Sequence, residues 1–362
     1  MGMTAALLLF GLLMVASASM VISDRQFGYP FHYLFRQAIY LGFGILLAFA
    51  ATRVPLTFWQ SISTPLLFIG LFLLILVLIP GIGRVMNGSR RWLNLGFITL
   101  QVSELIKLAA LLYLAGYLQR HAPEVQSQLS GFLKPLIFLA VMALLLLLEP
   151  DFGATFVLSA MFLILLFVGG VRFSWFLLLL GVAIAALAAL ALLSPYRLQR
   201  LTTFLNPWNA QYGSGYQLTQ SLIAFGQGGF WGVGLGNSIQ KLFYLPEAHT
   251  DFLFAVIAEE LGLVGVLAFM VLFVALIVTI LRLARFATKE NNLFASYVAY
   301  GAAAWLGIQG MINIGVNAGV LPTKGLTLPF VSYGGSSMLV NCLLIGIILR
   351  ISHETNWRGK CR

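Results

Sequence analysis

A chain of 362 residues that is 60% apolar and only 9% charged is not a soluble globular domain, where about 25% of residues carry charge. Its mean hydropathy of +0.96 points instead to a polytopic helical membrane protein, expected as a single transmembrane domain over 1–362. The net charge of +10 does not indicate nucleic acid, because no basic stripe lies on a soluble face. Basic side chains beside lipid headgroups, or beside an anionic lipid substrate, account for it.

A membrane span takes about 20 apolar residues, and fewer inside a bundle. Ten candidates follow one another: 4–22, 36–51, 66–79, 102–117, 132–148, 152–169, 173–193, 252–281, 294–316 and 336–351. The first lacks a basic start and reads as a retained span rather than a cleaved signal. An even number puts both termini on one side. Arg350, Arg358, Lys360 and Arg362 in the tail share that side with Arg282, Arg285 and Lys289, so it is expected to be cytoplasmic. Arg84, Arg90, Arg91, Arg197, Arg200 and Lys241 then fall outside, where contact with phosphate would explain them. The expected fold class is all-α, with ten transmembrane helices and a large extracytoplasmic loop, 194–250, between the seventh and eighth. The run 217–223 within that loop suggests a short re-entrant or interfacial helix. No internal repeat supports an inverted-repeat transporter. Cys342 and Cys361 lack metal spacing, and His32, His121, His249 and His353 are scattered.

The chemistry concentrates in 236–260. Lys241, Glu247, His249 and Asp251 fall where a membrane surface should be, and Glu259 and Glu260 lie two turns further in. A carboxylate at a bilayer centre costs roughly 2.5–3.5 kcal/mol on insertion scales, so these need a reason. Asp251 has two readings. It can stand in the first turn of the eighth helix behind a Thr250 cap, where the helix dipole favours it. It can also act as a general base, because a partly desolvated carboxylate takes a proton from a hydroxyl. Glu259 is about 12 Å deeper and Glu260 nearly opposite, so only one of them can share a cavity with Asp251. Interhelical hydrogen bonding is the preferred role for both.

Glu104 and Lys107 stand at i, i+3 in the fourth span. An internal salt bridge is preferred, and a role in positioning Asp251 or substrate stays open. Arg91 with Trp92 is either an interfacial anchor or a bidentate diphosphate contact. Glu149-Pro150-Asp151 reads as a tight turn with a helix cap. Gly228, Gly229, Gly232, Gly234 and Gly236 lack the rest of a phosphate-loop motif and are expected to serve close approach or sharp turns. Lys324, the sole charge in the loop entering the last span, is a candidate for an anionic headgroup or a solvated lysine.

In order along the chain, NGSRRW (87–92), SELIKL (103–108), EPDFG (149–153), YQLTQSLIAFGQGG (216–229), GVGLGNSIQKLFYLPEAHTDFLFAVIAEELG (232–262) and NIGVNAGVLPTKGLTLPFVSYGGSS (313–337) resemble the SEDS family of membrane proteins of shape, elongation, division and sporulation. The wording is nearer its division branch. Val102 and Phe97 depart from it, standing where the family has proline. The amino terminus is short for the branch, so a cytoplasmic extension is expected to be absent.

The resemblance implies a peptidoglycan glycosyltransferase that polymerises lipid II into glycan strands during septal wall synthesis, with inversion and release of undecaprenyl diphosphate. It would work at the outer face of the bacterial inner membrane. Asp251 matches the family's essential acidic residue. The expected substrate-contacting set is Arg91, Trp92, Glu104, Lys107, Arg197, Arg200, Gln217, Ser221, Lys241, Glu247, His249, Thr250, Lys324 and Ser332. No metal-ligating residues are expected. A divalent cation, Mg2+ or Mn2+, is expected only in company with the lipid diphosphate, since no carboxylate cage is evident. The implied partners are a class B penicillin-binding protein and other division-complex membrane proteins. Two other readings remain open: a lipid II flippase, which needs a polar path across the whole bilayer, and a scaffold, which would leave Asp251 replaceable.

Overall fold

The computed structural model describes residues 1–86, 89–94, 96, 99–192 and 203–360. In chain order these form α1 (Gly2–Phe27), α2 (His32–Arg53), α3 (Leu56–Leu78), β1 (Gly83–Met86), β2 (Ser89–Asn94), β3 (Thr99–Gln101), α4 (Val102–Arg120), α5 (Ala122–Ser127), α6 (Leu129–Leu148), α7 (Phe152–Val168), α8 (Phe173–Leu192), a 3-10 turn (Pro207–Ala210), α9 (Tyr216–Gly228), α10 (Leu253–Lys289), α11 (Leu293–Asn317) and α12 (Gly335–Lys360). Each of the ten expected spans overlaps a helix. Among the described residues seven helices are long and apolar enough to cross a membrane, and shorter apolar helices cover Phe152–Val168 and Phe173–Ala185. By length and composition alone, seven of the ten expected crossings qualify among the described residues. The protein is a multi-pass membrane protein.

The chain divides into two compact units. The first comprises Met1–Ile39, Gly181–Leu276 and Gln309–Gly334, and the second Tyr40–Leu180, Ile277–Ile308 and Gly335–Arg362. Within the second unit α4 is the inner helix. Its span is 89% buried, against 28% for α3 and α6. The more apolar α3 and α6 can face lipid, whereas α4 carries Glu104 and Lys107, and charged side chains within a span face the interior of the bundle.

Two features depart from the expected loops and spans. Residues between the third and fourth spans build a small antiparallel sheet of order β1-β2-β3. Arg84 pairs with Trp92, and Trp92 with Gln101. Arg91 and Trp92 thus stand on a strand, not in a loop. The Arg90 guanidinium donates to the Leu78 carbonyl at 3.0 Å and so satisfies an orphan acceptor at the end of α3. The large loop between α8 and α10 contains the expected short helix as α9, while Arg197 and Arg200 lie outside the described residues.

The second departure is a break in the eighth span. Gly262 has φ 64 and ψ −167 inside α10. The backbone groups released there pair with the glycine-rich segment: Val233 N–H with Glu259 C=O at 3.0 Å, Gly234 N–H with Glu260 C=O at 3.0 Å, and Leu263 N–H with Gly229 C=O at 2.9 Å. Irregular backbone at membrane depth is tolerated only when such partners exist. A Cβ on Gly232 would lie 2.2 Å from the Glu260 carbonyl, and one on Gly262 would lie 2.3 Å from the Gly232 nitrogen. Only glycine fits at either position.

Candidate active site

In the first unit the turn before α10 carries Glu247, His249, Thr250 and Asp251. α10 begins at Leu253, so Thr250 is not its cap. The Thr250 hydroxyl instead donates to the Glu247 carboxylate at 2.8 Å. The helix is capped from a distance, because Ala255 N–H donates to Asn317 Oδ1 at 3.1 Å. Asp251 is consequently outside the first helical turn and partly exposed. Its backbone carbonyl accepts from Asn313 Nδ2 at 2.9 Å and Asn317 Nδ2 at 3.0 Å. Its Oδ2 lies against the backbone of Gly325, 3.1 Å from where a Cβ there would sit. The neighbouring Lys324 is also partly exposed, and burial pulls its ammonium below the usual lysine value.

His249 is buried behind this turn, with Tyr33 at 4.6 Å and Tyr333 at 5.6 Å between ring centroids. Burial lowers its pKa, and Glu247 opposes the shift. Tyr333 N–H donates to the His249 carbonyl at 3.0 Å, tying the turn to the loop that carries Lys324. Two expected substrate contacts spend their hydroxyls on that framework. Ser332 Oγ accepts from Leu328 N–H at 2.9 Å, and Ser221 Oγ donates to the Asn317 carbonyl at 2.7 Å. Gln217 is half-buried near the start of α9.

Lys241, one of the expected cations, is paired within the fold. It is not an open cation, because its ammonium is 2.7 Å from Glu260 with both side chains buried. It also donates to Ser17 Oγ at 2.9 Å. Glu259 accepts from Ser238 Oγ and, at 2.8 Å, from Ile239 N–H. Both glutamates are therefore committed to the 238–241 turn or to α1, and neither is spent on Asp251. A cavity of about 570 Å³ adjoins this turn, lined by Leu13, Ser17, Met20, Leu235, Lys241 and their neighbours, and not by Asp251.

The second unit holds the remaining expected residues. Glu104 and Lys107 form the anticipated internal pair at 2.8 Å. The ammonium also lies 4.9 Å from the Trp305 ring centroid, which adds a cation–π attraction in a dry setting. Arg91 donates through Nε to the Glu149 carbonyl at 3.1 Å and through Nη2 to the Pro150 carbonyl. Asp151 caps α7 as expected, accepting from Ala154 N–H at 3.1 Å. Glu149 is fully buried. Burial first, then Asp151, pushes its carboxyl up to about 8, while Arg91 pulls the other way. Among the described residues no three His, Cys, Asp or Glu side chains cluster so as to hold a metal ion.

The structure thus brings Asp251, Glu247, His249, Thr250 and Lys324 onto one framework, and Arg91, Trp92, Glu104 and Lys107 into the other unit. Sequence reasoning missed Gln309, Asn313 and Asn317. Three amides at four-residue spacing inside an apolar span were the available signal, since buried polar groups in a span need partners.

The sequence profile of the FtsW/RodA/SpoVE cell cycle proteins matches residues 1–357. A protein of Coxiella burnetii named probable peptidoglycan glycosyltransferase FtsW is 64% identical over 352 residues, covering 97% of this chain and 95% of its own length. A chain from a solved structure described as the structural coordination of polymerization and crosslinking by a peptidoglycan synthase complex is similar at a TM-score of 0.80. It is 32% identical, with 98% of this chain and 96% of that chain covered. The crystal structure of the Thermus thermophilus rod shape determining protein RodA is similar at a TM-score of 0.72 and 30% identity, with 97% and 95% covered. From end to end, then, this chain belongs to the FtsW/RodA/SpoVE family of cell cycle proteins.

Proposed function

We propose that this chain is a peptidoglycan glycosyltransferase of septal wall synthesis that polymerises lipid II at the outer face of the bacterial inner membrane, with both termini cytoplasmic. Kinship over nearly the whole length supports the reaction class. The observation that carries the mechanism is Asp251 itself, a partly exposed residue whose backbone carbonyl accepts from two amides.

Asp251 accepts the proton of the C4 hydroxyl on the acceptor's N-acetylglucosamine. The oxygen attacks the anomeric carbon of the donor's N-acetylmuramic acid from the face opposite the diphosphate. The C1–O bond breaks, its electron pair leaves with undecaprenyl diphosphate, and the configuration inverts. Lys324 stabilises the charge that develops on the diphosphate, where a fixed cation in a partly dry site acts more strongly than in water. A divalent cation, if used, arrives on the lipid diphosphate. The partners of this reading are a class B penicillin-binding protein and other division-complex membrane proteins.

The test is purified protein with labelled lipid II, with and without a class B penicillin-binding protein. Asp251→Asn is expected to lower strand formation by about 10²–10⁴-fold, the range of general acid–base catalysis. Glycan strands made by that variant at the wild-type rate would remove Asp251 as the base. Lipid II that crosses vesicles without being polymerised would favour a flippase.

A further inference from the structure

α11 presents three amides at four-residue spacing, Gln309, Asn313 and Asn317, which are 0%, 2% and 0% exposed. Residues at i, i+4 and i+8 share one helix face. Within the first compact unit these amides form a ladder. Gln309 Nε2 donates to the Thr327 carbonyl at 2.9 Å. Asn313 Nδ2 donates to the Leu326 carbonyl at 2.6 Å and to the Asp251 carbonyl at 2.9 Å. Asn317 Nδ2 donates to the Asp251 carbonyl at 3.0 Å, and its Oδ1 caps the first turn of α10 through Ala255 N–H at 3.1 Å. Ser221 holds the Asn317 carbonyl in turn.

This exceeds what satisfying the buried backbone requires. One donor would relieve the Asp251 carbonyl of its desolvation penalty. Two donors, reaching it from successive turns of one helix, fix its direction as well as its position. The same Asn313 amide also holds the loop two residues past Lys324, and that loop is pinched by a Leu326 N–H to Lys324 C=O bond of 2.9 Å. One side chain therefore sets the separation between the carboxylate-bearing turn and the cation-bearing loop.

We infer that Asn313 and Asn317 are positioning residues for Asp251, and that Asn313 also sets the register between Asp251 and Lys324. The inference rests on the reading of Asp251 as the general base. Neither amide touches substrate. Both act through the backbone that carries the base, where a misplacement of about 1 Å costs on the order of 10²-fold in rate.

The experiment measures kcat, KM for lipid II, and the pH profile in Asn313→Ala, Asn313→Ser and Asn317→Ala. Each alanine variant leaves the Asp251 carbonyl one donor, so the fold is expected to hold. The expected result is a kcat lower by roughly 10–100-fold, a KM changed little, and a displaced acid limb of the pH profile. Asn313→Ser, which keeps an O–H donor, recovers part of the rate. A purely structural role would cut the active fraction and leave the limb where it was, which would overturn the inference. So would wild-type kcat in both alanine variants. Adding either substitution to Asp251→Asn is expected to cause no further loss, and a further loss of the same size would also overturn it. Should Asn317→Ala fail to fold, Asn313→Ala and Asn313→Ser decide alone. A fully active Asp251→Asn protein would sink the base assignment instead, and that outcome is separate from all of these.

Discussion

One carboxylate oxygen of Asp251 lies 3.1 Å from the point that a Cβ on Gly325 would occupy. A methyl group there is tighter than ordinary van der Waals contact, so either the loop or the carboxylate must give by a few tenths of an ångström. The loop is held by the Asn313 amide at the next residue, Leu326, so the carboxylate is the softer neighbour. Gly325→Ala is expected to leave thermal stability within about 0.5 kcal/mol, as for surface substitutions, while lowering kcat about tenfold by displacing the base. Wild-type kcat in that variant would show that the carboxylate tolerates the crowding.

Lys324 supplies a pH signature. Burial lowers its pKa from the ordinary lysine value, because a desolvated ammonium is disfavoured relative to the neutral amine. A reaction that needs the cation therefore fails at lower pH than an ordinary lysine would dictate. The alkaline limb of the kcat/KM profile is expected below 10.5. Lys324→Arg is expected to move it upward and out of range, since guanidinium keeps its proton. An alkaline limb unchanged in Lys324→Arg would assign it to another group.

Lys241 and Glu260 make a third case. Their ammonium and carboxylate are 2.7 Å apart, with side-chain exposures of 5% and 0%. Removing one partner of a buried pair leaves the other charge uncompensated, at a cost of about 3–5 kcal/mol. Lys241→Met is expected to lower the melting temperature sharply, and Lys241→Met with Glu260→Gln to restore much of it. Loss of substrate affinity in Lys241→Met without loss of stability would instead return Lys241 to the role of an open cation.

How far the sequence could be read depended on range. The spans were legible because each is a long apolar run, and the Glu104–Lys107 pair because its partners are one helical turn apart. The fate of Lys241 was not, since Glu260 is 19 residues on and Ser17 is 224 residues back. The break at Gly262 was equally hidden. Leu261-Gly262-Leu263 sits inside an apolar stretch, and the segment that pairs with it comes some thirty residues earlier. The sheet had a local signal that went unused, Asn87-Gly88 ahead of Ser89–Asn94, a dipeptide that favours a hairpin. Asn313 and Asn317 went unread, because the Asp251 carbonyl that they hold is 62 and 66 residues away in the chain.

Glu149 gives the stability counterpart of these rate effects. Its carboxyl is raised from 4.5 to about 8 by burial and by Asp151, against the pull of Arg91. Both of its oxygens are buried without a hydrogen-bond partner. Between pH 4.5 and 8 the folded protein holds a proton that the unfolded chain has already released. The unfolded state binds fewer protons, so stability falls as pH rises through that window and levels off above it. Glu149→Gln has nothing to ionise, and is expected to flatten the fall, with its largest gain in melting temperature above pH 8. The check is the melting temperature of wild type and Glu149→Gln in one detergent at pH 5, 6.5 and 8.5. Parallel slopes for the two proteins would mean that Glu149 ionises in the fold as freely as in the unfolded chain, and that Arg91 rather than burial governs it.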